Sequence, residues 1–206
     1  MEKINHLKVF SQFYSQPKKE ISAVDVPLLT FLAIDGMGDP NNNPEYSEAV
    51  GALYAIAYKL KFMIKNSPLA IDYKVMPLEG LWWADDMTSF NLADKSNWHW
   101  RMMIMQPEHV TKDLFDIALA FVKNKKNLPK LDEVHFIQFS EGLCMQIFHQ
   151  GAYGEGERDT INKLHHHIQS EGFRLRGKHH EIYLNSPLRT AVENLKTIIR
   201  QPIEAI

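Results

Sequence analysis

Apolar and polar positions alternate along this chain in two distinct periods. Leu28 to Asp35 (LLTFLAID) follows a polar lead-in and is apolar enough to predict a buried strand. Gly36-Met37-Gly38-Asp39-Pro40 and the asparagines after it end that strand. Asn43 then offers a helix N-cap, with Pro44 at the first helical position. From there to about Lys65, Val50, Leu53, Ala57, Leu60 and Ile64 recur at three-four spacing, which predicts an amphipathic helix stopped by Ser67-Pro68. Tyr73 to Trp83 (YKVMPLEGLWW) predicts a strand, with Pro77 and Gly80 marking an irregularity such as a bulge. A polar loop, Asp85 to Asn97, separates it from a further strand, Trp98 to Met105.

The second half follows the same logic. Thr111 can cap a helix whose face is Leu114, Phe115, Ala118, Phe121 and Val122, with Pro129 just beyond it. Val134–Ser140 and Leu143–His149 predict a hairpin turning at Glu141-Gly142. A glycine-rich bend, Gly151 to Gly156, leads to a third helix with Ile161, Leu164 and Ile168 inward and Gly172 at its C-terminal end. His179 to Leu184 (HHEIYL) predicts a strand, and Val192, Leu195 and Ile199 predict a final helix stopped at Pro202. LAIDGMGDP and IFHQGAYGE both end a strand in a Gly-rich bend before a helix and another strand, a topological echo without sequence identity. Two such units side by side leave a groove between them, a common place for a small-molecule site.

Composition narrows the function classes. The 206 residues are 45% hydrophobic with a formal net charge of −2, so no strong field recruits nucleic acid or a charged membrane surface. Short basic runs, such as Lys123 with Lys125 and Lys126, suit a helix C-terminus. Cys144 is the lone cysteine, which rules out an intrachain disulfide and fits a cytoplasmic protein. The first ten residues lack a signal-peptide core, and no run of about 18 apolar residues predicts a membrane span. The expected partner is therefore a small molecule, with no nucleic acid and no membrane.

Several segments resemble the GyrI-like family of small-molecule-binding domains, in its free-standing branch. They are Ile34–Pro40 (IDGMGDP), Val75–Asp86 (VMPLEGLWWADD), Met102–Pro107 (MMIMQP), Glu141–Cys144 (EGLC), Arg174–Leu184 (RLRGKHHEIYL) and Leu195–Pro202 (LKTIIRQP). The resemblance runs from about Val26 to Pro202 and rests most on the long motifs PLEGLWW and RGKHHEIYL. It implies an α+β fold, a pseudo-two-fold pair of strand–helix–strand–strand modules. Their antiparallel sheet would carry helices on one face and an aromatic groove between the modules. The whole chain, 1–206, would be one domain, with halves at about 26–108 and 130–202. Relatives bind hydrophobic, flat or cationic molecules, and the free-standing branch includes hydrolases that open the ring of cyclopropanoid compounds, a detoxification. The family's Gly-Pro-Tyr bend stands here as Gly151-Ala152-Tyr153, keeping the tyrosine.

Glu181 is the first candidate catalytic residue. Strand parity puts His179, Glu181 and Tyr183 on one face and the more apolar His180, Ile182 and Leu184 on the other. A carboxylate between an imidazole and a phenol can act as a general base, although the same pattern fits a solvated strand face. The resemblance places the matching glutamate in the groove, with Tyr153 or Tyr183 as the donor to a developing oxyanion. His179 and Glu79 join it as candidate ligand-binding groups. Trp82, Trp83 and Trp100 are candidates for stacking on a flat or cationic ligand, although adjacent strand residues face opposite ways and both Trp82 and Trp83 also fit core or rim.

No metal and no cofactor are expected. His165, His166 and His167 fan out at about 100° steps on a helix and cannot close on one ion. His179 and His180 point to opposite faces, and Gly36-Met37-Gly38 lacks phosphate-loop spacing. Two rival readings remain: a groove that binds or sequesters a ligand without chemistry, and a protein-binding role like that of the gyrase inhibitor for which the family is named.

Overall fold

A computed structural model describes residues 2–18, 20–85 and 95–206. Most of the polar loop expected before Trp98, residues 86–94, lies outside them. In chain order the elements are β1 (Glu2–Ile4), α1 (His6–Val9), α2 (Ser11–Tyr14), β2 (Ile21–Met37), α3 (Pro44–Lys65), β3 (Ile71–Tyr73), β4 (Leu78–Trp83) and β5 (His99–Gln106). Then follow α4 (Lys112–Lys125), β6 (His135–Gln150), α5 (Arg158–Ser170), β7 (Phe173–Leu175), β8 (His179–Tyr183) and β9 (Lys196–Ala205).

The main sheet is antiparallel in the order β6-β2-β5-β4-β8-β9, and a β6–β9 pairing closes it into a six-stranded ring. The connectivity is the expected α+β pattern written twice: β2-α3-β4-β5, then β6-α5-β8-β9. Exchanging the two sets reproduces the same ring, with β2–β6 and β4–β8 as the pairs where the modules meet.

Local chemistry explains the helices. Asn43 Oδ1 accepts from the Glu45 N–H at 2.9 Å and Pro44 opens α3, while Thr111 Oγ1 accepts from the Leu114 N–H at 3.3 Å to start α4. α3 buries Leu53, Ile56, Leu60 and Ile64 on the outer face of β2 and β5. α5 buries Ile161, Leu164 and Ile168 against Met145, Ile147 and Ile199 on β6 and β9. Between the two helices, the outer face of the β4–β8 pair carries the cavity described below. α4 packs beside α3 through Phe115, Ala118 and Val122, but Phe121 is exposed and takes the Lys59 ammonium over its ring.

Four expectations are corrected. β6 does not turn at Glu141-Gly142: it runs on as one strand, because β2 offers a ladder along most of its length, from Ile21↔Ile147 to Ala33↔His135. Gly142, at φ 71°, pairs with Val26, next to Pro27, where the ladder lacks an N–H. That same ladder makes strand of Ile21–Val26, read as polar lead-in. The expected last helix is β9, whose Ile198, Ile199 and Ile203 are buried on alternating faces; burial on both sides imitates helical spacing. Lastly, Gly80 sits in regular register, Gly80↔Met102 and Gly80↔Glu181, so it marks no bulge.

The inner face of the ring holds buried charge. His180 Nδ1 lies 2.9 Å from Glu141 Oε1, His180 Nε2 lies 3.1 Å from Glu79 Oε2, and Arg200 Nη1 donates to Glu141 Oε2 at 3.2 Å. α2 plugs this face: the Tyr14 hydroxyl donates to Glu79 Oε1 at 2.7 Å, and Arg200 donates to the Phe13 carbonyl. No described helix is long and apolar enough to cross a membrane.

Candidate functional site

The site begins with β8, which is buried on both faces. His180 and Ile182 point into the ring, while His179, Glu181 and Tyr183 point out toward the gap between the modules. Two donors grip the Glu181 carboxylate: His179 Nε2 at 3.1 Å from Oε1, and the Tyr183 hydroxyl, which donates to Oε2 at 2.8 Å. Trp82 Nε1 in turn donates to the Tyr183 oxygen at 3.1 Å. Burial works against a charge on Glu181, but these bonds and the His179 ring outweigh it and hold its carboxyl below the usual range. Glu181 is thus a buried, ionised carboxylate on the wall of a cavity of about 980 Å³.

Aromatic rings form most of the wall near it. Tyr46, from the first turn of α3, stacks on Trp82 at 6.1 Å between centroids, and Trp98 meets Trp82 edge-on at 5.5 Å. Tyr153 meets Tyr183 edge-on at 5.3 Å. The bend carrying Tyr153 is pinned by His149, whose ring nitrogens lie 2.9 Å from Thr160 Oγ1 and 3.1 Å from the Ala152 carbonyl. The Tyr153 hydroxyl is buried and has no partner among the described residues, and burial pushes it up to about 12, so it stays a donor at neutral pH. Lys95, over the Trp98 ring at 5.0 Å, brings a cation to the same wall.

Glu181, Tyr183, Tyr153 and Trp82 are thus brought together as expected, with His179 behind the carboxylate. Three other candidates are elsewhere. Trp83 points to the opposite face from Trp82, stacked on His99 at 5.6 Å under the Lys178 ammonium. Trp100 shares the outer face but lies beneath Tyr46 and over Gly36, fully buried; it supports the wall without lining the cavity. Glu79 lies inside the ring with Tyr14 and His180. Among the described residues, no group of three His, Cys, Asp or Glu side chains could hold a metal ion.

Sequence reasoning missed Glu157. It ends the short 3-10 turn Gly154–Glu157, fully buried, and its Oε2 accepts from the Gly154 N–H at 2.8 Å. The Thr197 hydroxyl lies beside its carboxyl. Burial and the Glu181 charge push it up to about 9. An acid directly after a glycine-rich bend was the available signal, and an acidic residue at a helix start is ordinary.

The GyrI-like small molecule binding domain family matches residues 19–204. The chain belongs to the GyrI-like family. Its likeness to solved structures of Listeria innocua extends over both chains. A conserved protein is 37% identical with a TM-score of 0.88, covering 98% of this chain and 100% of that one. A hydrolase is 36% identical at TM-score 0.87, and another structure described as a hydrolase is 34% identical at 0.84, each with the same coverage. No curated protein matches.

Proposed function

We propose that this GyrI-like protein binds flat, hydrophobic electrophiles in the aromatic cavity and hydrolyses them, with cyclopropanoid compounds as the substrate class. The observation that carries the reading is the pairing of an ionised, buried Glu181 with the unpartnered Tyr153 hydroxyl on one aromatic wall. The similarity to two Listeria hydrolases supports it.

In such a substrate a strained three-membered ring is conjugated to a carbonyl. Glu181 takes a proton from water as the water oxygen bonds to a ring carbon. The strained C–C bond breaks, and its electron pair moves through the conjugated system to the carbonyl oxygen. Tyr153 stabilises that oxygen by donating a hydrogen bond. Tyr183 is committed to Glu181 and to Trp82, so it positions the base and is not the donor to substrate. Trp82, Trp98 and Tyr46 hold the flat scaffold and exclude water from the rest of it.

The second reading is capture without chemistry. An anionic carboxylate surrounded by aromatic rings also suits a lipophilic cation. Incubating the protein with cyclopropane-fused dienones and with cationic dyes separates the two. The first reading predicts a ring-opened, water-added product; dye binding without any product supports the second.

A further inference from the structure

Glu157 and Glu181 are two buried carboxyls in one small volume, and their surroundings differ sharply. Glu181 accepts from His179 and Tyr183. Glu157 accepts one short hydrogen bond, from the Gly154 N–H, and has only the Thr197 hydroxyl beside it as a further donor among the described residues. Thr197 Oγ1 lies next to Glu157, and the Tyr153 hydroxyl is a buried oxygen without a partner among the described residues. Tyr183 lies opposite Thr197 in the β8–β9 ladder, so these groups surround Glu181 from β9, from the bend and from β8 itself. Lys95 faces both carboxyls, and the His179 ring lies against Glu181. His179 is taken up by Glu181, which leaves Glu157 to share the Lys95 ammonium, and burying a second anion beside the first costs far more than keeping it protonated.

We propose that Glu157 carries the one proton of this carboxyl pair and is the acid that complements Glu181 during turnover. Resting on the hydrolase reading, the proton inventory closes. Glu181 accepts one proton from the attacking water. The carbonyl oxygen of the opened substrate gains one, passed by Tyr153 and replaced on Tyr153 from Glu157. The pair ends with one proton, now on Glu181, and its return to Glu157 resets the site. Because Glu157 is fully covered and acts through Tyr153, it is a proton-positioning residue and does not touch the substrate. Raised and lowered carboxyls side by side are the general pattern of an acid–base pair. The upward shift of Glu157 agrees with this assignment.

The test needs no substrate at first. Infrared difference spectra of the full chain, titrated with base, should show a protonated-carboxyl band at neutral pH. That band should vanish in Glu157→Gln. In Glu181→Gln it should titrate at lower pH, because the neighbouring charge is gone. A spectrum without the band at neutral pH, or a band that survives in Glu157→Gln, overturns the proposal. With a cyclopropane-fused dienone, Glu157→Gln should lose about 10²-fold or more in kcat. It should also lose the alkaline limb of the pH profile while still quenching tryptophan fluorescence on binding. A purely structural role would leave that limb in place, so an unchanged limb counts against the proposal even if kcat falls. If wild-type protein opens no substrate and yet shows the band with its predicted shifts, the hydrolase reading fails and the proton assignment stands.

Discussion

Gly80 lies directly beneath the Tyr183 hydroxyl. A Cβ built on it would come within 3.2 Å of that oxygen and 2.7 Å of Trp82 Nε1. The missing side chain is what lets the indole and the phenol meet and lets the phenol reach Glu181. Gly80→Ala therefore forces Trp82 or Tyr183 to move. The expected result is a loss of about 1–3 kcal/mol in urea unfolding, typical of overpacking, together with weaker ligand quenching. Wild-type stability and quenching in this variant would show that the fit is looser than described.

Tyr183 and Tyr153 should fail in different ways. Tyr183→Phe removes a hydrogen bond that favours the charged form of Glu181, so the carboxyl moves up toward the usual range. A depressed carboxyl is active above its folded value and is lost as pH falls through it. The acid limb of kcat/KM should therefore shift to higher pH. Tyr153→Phe should leave that limb in place and lower kcat by about 10²–10³-fold, the usual cost of one oxyanion donor. The pH profiles of the two variants, measured side by side, check both statements.

The charged cluster inside the ring should govern stability. Burial opposes the charge on His180, but Glu141 and Glu79 overcome it and raise the imidazole to about 9. Such a group stabilises fully below its unfolded value near 6.5, and the contribution disappears as pH rises through about 9. Urea midpoints should decline across that window in wild type. Arg200→Met leaves Glu141 with an uncompensated share of buried charge and should cost about 3–5 kcal/mol. A midpoint that is flat over the same range would remove His180 from the account.

Trp82 and Trp83 are neighbours in sequence and opposites in space. Trp82→Ala should weaken binding of a flat ligand strongly, because it removes a cavity wall and the donor to Tyr183. Trp83→Ala should leave binding near wild type, since that ring sits between His99 and Lys178 on the other face. Titration of tryptophan quenching in both variants distinguishes them; equal losses would contradict the assignment of faces.

What could be read from sequence follows a physical division. Helices α3 and α4 announced themselves through Asn43-Pro44 and Thr111, whose cap chemistry is local. Parity alone put Glu181 and Tyr183 on one face, because alternation is a property of any strand. Long-range pairing was not legible. Nothing near Glu141-Gly142 reveals that β2 continues alongside, so a φ-positive glycine looked like a hairpin turn. β9 is buried on both sides, which erases the period that separates strand from helix. Glu79 was misplaced for a related reason: the sheet closes into a ring, so its inner face is a second interior that sequence alone does not announce, whereas Trp100 is on the outer face but covered by Tyr46 from α3. Glu157 became visible only once the bend brought it to Glu181.

The central claim is that Glu181 is a general base on an aromatic wall, and single-turnover kinetics of Glu181→Gln with a cyclopropane-fused dienone tests it most directly. The substitution keeps the shape and removes both the base and the charge. The rate of ring opening should fall by about 10²–10⁴-fold, while the affinity for a neutral flat ligand, read by tryptophan quenching, changes little. Full turnover in Glu181→Gln would contradict the account.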